Sequence, residues 1–253
     1  MVSLCKGTAS VIELGILEEG NSSKVVQQRP KAKELLYFCD MEQSQTVAAR
    51  VAQMLLEVKA VRLSPDAPFT WASGWKSPIY CDNRVTLSSP SVRTYIKNVL
   101  ADLIKKELPG VEAIAGVATA GIPQGALVAD ALNLPFLYVR PKPKDHGMGN
   151  QIEGRLEPGQ KVVVVEDLIS TGGSSLKAVD ALRQAGAEVL GMAAIFTYGF
   201  PVSGQNFQAA GLPLHTLSDY EALLHAAVPL GYVTADQVET LAEWRRSPET
   251  WKQ

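Results

Sequence analysis

A chain of 253 residues, 46% of them hydrophobic, is long enough for one large or two small domains and apolar enough for a substantial core. Its formal net charge of −2 gives no electrostatic reason to expect nucleic acid or an anionic membrane as the main partner. Three cysteines, Cys5, Cys39 and Cys81, without a Cys-x-x-Cys pair or nearby histidines, fit neither a disulfide framework nor a zinc site; with no apolar run of about 18 residues, a cytoplasmic chain without a membrane span is expected.

Residues 1–40 show no sustained periodicity, and Gly20-Asn-Ser-Ser-Lys24 and Gln27-Gln-Arg-Pro-Lys31 read as loop or disorder, an irregular extension ahead of a domain spanning 41–253. From Thr46, Val47, Val51, Leu55 and Val58 fall at helical spacing. Residues 62–84, rich in proline, aromatics and turn formers, suit a small irregular β region. Periods then alternate: helix 91–107, strand 111–118, helix 122–132, strand 135–140, strand 161–166, helix 173–185 and strand 188–198. Such alternation implies parallel βαβ crossovers, hence a doubly wound parallel sheet flanked by helices. A possible edge strand at 214–217 and helices near 220–227 and 235–246 complete the chain; His215 and His225 lie in apolar stretches and are assigned no chemistry.

The most informative stretch is Lys161-Val-Val-Val-Val-Glu-Asp-Leu-Ile-Ser170 followed by Thr171-Gly-Gly-Ser-Ser175. Four consecutive valines suit a strand covered on both faces, which puts Glu166 and Asp167 at its carboxyl end, where open α/β sheets bind ligands. Amides of Ser170, Thr171, Gly172, Gly173 and Ser174, at a tight turn opening a helix, can converge on a phosphate with the helix dipole behind them. Two carboxylates beside such a cradle make sense if they face ribose hydroxyls. A P-loop is excluded: no Gly-x-x-x-x-Gly-Lys-Ser/Thr occurs, and Lys177 lies too far into the helix to stand in. Gly116-Val-Ala-Thr-Ala-Gly121 has the wrong glycine spacing for a dinucleotide fingerprint. Between strands, the stretch 141–155 is long for a structureless loop and opens on Arg140, Lys142, Lys144 and His146, a pattern suited to a lid over a polyanion.

These stretches together resemble the orotate phosphoribosyltransferases, members of the type I phosphoribosyltransferase family. Glu166-Asp-Leu-Ile-Ser-Thr-Gly-Gly173 is similar to their phosphoribosyl pyrophosphate (PRPP) signature, Arg140-x-x-x-Lys144-x-His146-Gly147 to their mobile catalytic loop, and Gly116-Val-Ala-Thr-Ala-Gly-Ile-Pro123 to their pyrophosphate loop. Phe69-Thr-x-x-Ser-Gly-x-Lys-Ser-Pro-x-Tyr80 resembles their amino-terminal hood. The four motifs occur in the expected order.

The resemblance implies the type I fold with a small hood, and transfer of phosphoribosyl from PRPP to orotate, giving orotidine monophosphate and pyrophosphate. It implies Lys144, His146 and Asp167 as catalytic groups, and Arg140, Lys144, His146, Glu166, Asp167, Leu168, Ile169, Ser170, Thr171, Gly172, Gly173, Ser174, Thr119, Lys76 and Tyr80 as substrate contacts. It implies magnesium brought by PRPP and water rather than by protein ligands, no nucleic-acid or membrane partner, and a homodimer whose loops complete each other's sites. Three departures stand out: Ala72, Ala120 and Pro141 occupy positions where many members carry lysine, and no arginine follows the last core strand near Thr197-Tyr198-Gly199 to meet a base carboxylate. Two other readings stay open, a phosphoribosyltransferase for another base and a non-catalytic PRPP-binding regulator; the acidic pair and the loop cations argue against the second.

Overall fold

The structure is a computed structural model and describes residues 46–71, 74–142 and 151–252. The expected extension at 1–40, Ala72, Lys144 and His146 lie outside the described residues.

Helix α1 (Val47–Glu57) starts where Thr46 Oγ1 accepts the Ala49 N–H at 3.2 Å, which satisfies one of the first-turn donors. It buries Val51, Ala52, Met54, Leu55 and Leu56; Val47, expected on that face, remains 44% exposed at the first helical position. The irregular β region resolves into a ribbon of β1 (Val61–Leu63) with β4 (Ile79–Cys81) and a shorter pair, β2 (Phe69–Thr70) with β3 (Lys76–Ser77). A 3-10 turn over Asn83–Ser88 then leads into α2 (Pro90–Glu107), where Pro90 takes a position that needs no amide donor.

The central sheet is built from β5 (Ala113–Val117), β6 (Phe136–Val139), β7 (Ile152–Glu153), β8 (Lys161–Ile169), β9 (Glu188–Thr197) and β10 (Leu214–Asp219), in the order β10-β9-β8-β5-β6-β7. All neighbours are parallel except β7, which runs antiparallel to β6. Helices α3 (Gly121–Leu132), α4 (Gly173–Gln184), α5 (Pro201–Ala209), α6 (Tyr220–Ala227) and α7 (Ala235–Arg246) supply the remaining layers. Both faces of β8 are covered, as the valine run predicts: Val163 and Val165 join the core shared with α1, α2 and α3, whereas Val162 and Val164 join the core under α4 and α5.

Three features differ from the sequence expectation. β8 continues through Ile169, so Glu166 and Asp167 lie within the strand; its pairing with β9 persists to Ile169 opposite Thr197. Part of the stretch read as loop forms β7, and α5 was not expected, because Pro201, Gly204 and only two buried residues, Ser203 and Phe207, leave no apolar stripe.

The chain winds from β5 through α3 to β6 in one direction and from β8 through α4 to β9 in the other. The carboxyl ends of β5 and β8 therefore flank the point of reversal, where open sheets form a ligand crevice.

Candidate active site

Close backbone packing shapes the crevice. A Cβ at Gly116 would come within 2.8 Å of the Gly121 carbonyl, and one at Gly121 within 2.5 Å of the Val165 carbonyl. Glycine at both positions thus lets the loop after β5, with its cis Ala118–Thr119 peptide, lie against β8. Thr119 is exposed on this loop.

The turn from Ser170 to Ser174 is fastened from behind. Gly172 adopts φ +80°, Asn206 of α5 donates to the Thr171 carbonyl at 2.9 Å, and the Phe207 ring fills the space a Gly172 side chain would need. None of the amides of residues 171–175 has a backbone acceptor among the described residues, and no side chain caps α4. Several donors and the positive end of the helix dipole are therefore presented together, with Gly173 and Ser174 exposed in front.

The acidic pair divides its work. Glu166 is 6% exposed and turned inward: Oε1 accepts the Asp167 N–H at 3.0 Å and Oε2 accepts the Ser175 hydroxyl at 3.0 Å. Burial first, and then the charge of Asp167, push its pKa well above the ordinary carboxyl range. Asp167 is half-buried; burial raises its pKa, while Glu166 and Arg84 pull it down. Two adjoining carboxylates disfavoured in their charged forms suit a ligand that brings hydroxyl donors or a cation. Ile169, expected among the ligand contacts, is a core residue: its side chain is fully buried and its carbonyl accepts from Tyr198 N and Thr197 Oγ1.

Asn83, a residue the sequence did not single out, ties the 3-10 turn to this strand. Its fully buried Nδ2 donates to the Asp167 carbonyl at 2.6 Å; its own carbonyl accepts from Thr86 Oγ1, which accepts in turn from Gln124 of α3 at 3.2 Å. Asp82 beside it is held by the Arg84 guanidinium through bonds of 2.6 and 2.9 Å, which lowers its pKa. No spacing pattern marks an asparagine in a turn-rich segment.

Two cavities open on either side of the cradle. One, about 310 Å³, is walled by Thr70, Trp71, Tyr80, Cys81, Leu168, Ser170 and Tyr198. Its aromatic wall is rigid: Trp71 packs on Tyr198 at 5.4 Å and on Trp244 at 5.7 Å between ring centres, and Trp71 Nε1 donates to the Ile79 carbonyl. Two cations touch its walls, Lys76 through a 3.2 Å bond to Thr70 Oγ1 and Arg62 with its guanidinium 4.9 Å from the Tyr80 ring centre. The other cavity, about 240 Å³, lies between the ends of β5 and β6 and the first turns of α4, with Ala118, Arg140, Gln151, Ser174 and Lys177 among its lining. Arg140 stands 3.8 Å from Glu153 and leaves one guanidinium nitrogen without a hydrogen-bond partner. A larger cavity, about 680 Å³, sits between α6 and α7 and touches no cradle residue. Size does not identify the site; convergent polar chemistry does.

Among the described residues no three acidic, histidine or cysteine side chains cluster as a metal cage. One available aspartate beside a phosphate cradle suits magnesium, which keeps waters and substrate phosphates as most of its ligands.

Comparison with known proteins agrees with this geometry. The phosphoribosyl transferase domain model matches residues 89–201. The orotate phosphoribosyltransferase of Cytophaga hutchinsonii is 63% identical over 202 residues, which cover 80% of this chain and 97% of that protein. That of Streptococcus thermophilus is 58% identical over 207 residues, covering 82% and 99%. The crystal structure of the Aeropyrum pernix orotate phosphoribosyltransferase superposes with a TM-score of 0.64 at 31% identity, over 73% of this chain and 99% of that one. On identity, extent and fold alike, this chain belongs to the orotate phosphoribosyltransferase family.

Proposed function

We propose that the chain transfers the phosphoribosyl group of PRPP to orotate, forming orotidine 5′-monophosphate and pyrophosphate in pyrimidine synthesis. The observation that carries this reading is the position of the 170–174 turn. Ser170 walls the aromatic cavity and Ser174 lines the cationic one, so a ribose 5-phosphate held at the turn has a planar base on one side and an anionic leaving group on the other.

In the reaction a bond forms between the base nitrogen and the anomeric carbon as that nitrogen gives up its proton to water, while the bond from that carbon to the pyrophosphate oxygen breaks with its electron pair. Positive charge develops on the ribose ring and negative charge on the departing group. The amides of Thr171 to Ser174 hold the 5′-phosphate, and Asp167 meets the ribose hydroxyls next to the developing cation. Glu166, by accepting the Asp167 amide, keeps the strand end in shape rather than touching substrate. Arg140, with Lys144 and His146 of the loop, neutralises the leaving group, and the backbone at Thr119 supports it; a protonated His146 also suits proton donation to pyrophosphate, since imidazole titrates near pH 6.5. Trp71, Tyr80 and Tyr198 enclose the base, with Leu168 and Thr70 at its edges and Lys76 and Arg62 drawing in its carboxylate. Magnesium arriving with PRPP adds neutralising charge at the pyrophosphate.

The enzyme works as a homodimer in a reducing cytoplasm, each loop completing the partner's site. No described helix is long and apolar enough to cross a membrane. An ultraviolet assay with orotate, uracil and hypoxanthine tests the base. Orotate alone is expected to be consumed, dependent on PRPP and magnesium. Turnover of another base with orotate untouched overturns the proposal, as does PRPP binding without any turnover.

A further inference from the structure

Lys177 lies beside the cradle and has no task in the mechanism above. It belongs to α4, three residues after Ser174, and so shares a helix face with the phosphate turn. Both residues line the 240 Å³ cavity with Ala118, Val139, Arg140 and Gln151. The loop after β5 brings no charge to this cavity, since residues 118–121 are Ala-Thr-Ala-Gly, and Pro141 follows Arg140 at the end of β6. Among the described residues lining it, the cations are Arg140 and Lys177.

Lys177 stands in the second turn of α4 and makes no ion pair or hydrogen bond among the described residues. Asp180, one turn on, forms no salt bridge with it. Arg140 Nη1 is buried and has no hydrogen bond, although Glu153 stands 3.8 Å from it. Two cations, one just after β6 and one on α4, converge on a single void that borders a phosphate cradle.

We infer that Lys177 is a leaving-group-binding residue, which with Arg140 grips the pyrophosphate moiety of PRPP from the α4 side. This deepens the proposed function and rests on it. The ammonium supplies a point charge to the phosphate oxygens, stronger as charge leaves the anomeric carbon.

Calorimetric binding of inorganic pyrophosphate and of ribose 5-phosphate, with magnesium, to the full-length wild type, Lys177→Gln and Lys177→Arg separates the possibilities. Lys177→Gln is expected to weaken pyrophosphate about tenfold, the loss of one charge-assisted contact, while ribose 5-phosphate affinity stays unchanged. Lys177→Arg is expected to retain most of the pyrophosphate affinity. In steady state Lys177→Gln raises the KM for PRPP, leaves that for orotate in place, and shows a shallower dependence on ionic strength. Equal pyrophosphate affinity in wild type and Lys177→Gln overturns the inference. So does an equal loss for both ligands, which marks damage to the cradle. If wild type binds pyrophosphate through Lys177 yet consumes no orotate, the functional proposal falls and the lysine's role stands.

Discussion

Glu166 shows what burial adds to a sequence reading at the level of one side chain. As half of an acidic pair it looks like a ribose ligand; in the fold its oxygens are taken by the Asp167 amide and the Ser175 hydroxyl. Its folded pKa is raised by burial, so the folded protein binds this proton more tightly than the unfolded chain. Stability from that protonation is fully present below the unfolded value of about 4.3 and is lost as pH rises through the folded value. Glu166→Gln keeps an acceptor for the Asp167 amide and removes the buried charge. Thermal unfolding of the ligand-free proteins is therefore expected to find the variant more stable than wild type at neutral and higher pH, with the gap closing near pH 4. A gap of constant size across that range would contradict the assignment. Ile169 is a core side chain for a different reason: the facing of β8 shifts by one beyond the acids, so that Ile169 joins Val162 and Val164 in the core while Leu168 packs on the side of Val163 and Val165, which a motif read as a string of ligands does not reveal.

At the scale of elements, what was legible depended on periodicity. The strands with unbroken apolar runs and the helices with clear stripes emerged within a few residues of their ends, as for Gly173–Gln184 and Ala235–Arg246. α5 and β7 did not, since one buries only two side chains and the other is two residues long. Long-range contacts were invisible too. The tether from Asn83 to the Asp167 carbonyl joins residues 84 apart in sequence, and nothing local announces it. Asn83→Ala removes a donor to a part-buried carbonyl and is expected to cost roughly 1–3 kcal/mol in urea unfolding. It should also raise the KM for PRPP more than that for orotate, because the strand end carrying Asp167 loses its support; an equal rise in both would point to general loosening. Gly121→Ala brings a methyl against the Val165 carbonyl and is expected to destabilise by about 1–3 kcal/mol through overpacking. Wild-type stability for that variant would show that the β5–α3 loop is free to move off β8.

For the molecule as a whole, the doubly wound sheet was legible from alternation, and the crevice followed from where the winding reverses. The aromatic cavity was not, because its wall assembles Trp71 after β2, Tyr80 of β4 and Tyr198 after β9, with Trp244 of α7 packed behind Trp71 and Tyr198, which only the tertiary fold brings together. Sharing of sites between protomers is a property of the assembly and is tested there. Mixing inactive Lys144→Ala with inactive Asp167→Asn, with subunit exchange verified, is expected to restore about one quarter of wild-type activity, as half the dimers then hold one intact site. No recovery would mean that each protomer is self-sufficient. On the proposed mechanism PRPP lies across the ends of β5, β6 and β8, and a crystal structure with PRPP and magnesium decides whether it does. The 5′-phosphate is expected within hydrogen-bond distance of the amides of 171–174, the ribose hydroxyls at Asp167, and the pyrophosphate between Arg140 and Lys177. PRPP seated elsewhere, for instance in the cavity between α6 and α7, with those amides left uncontacted, would contradict it.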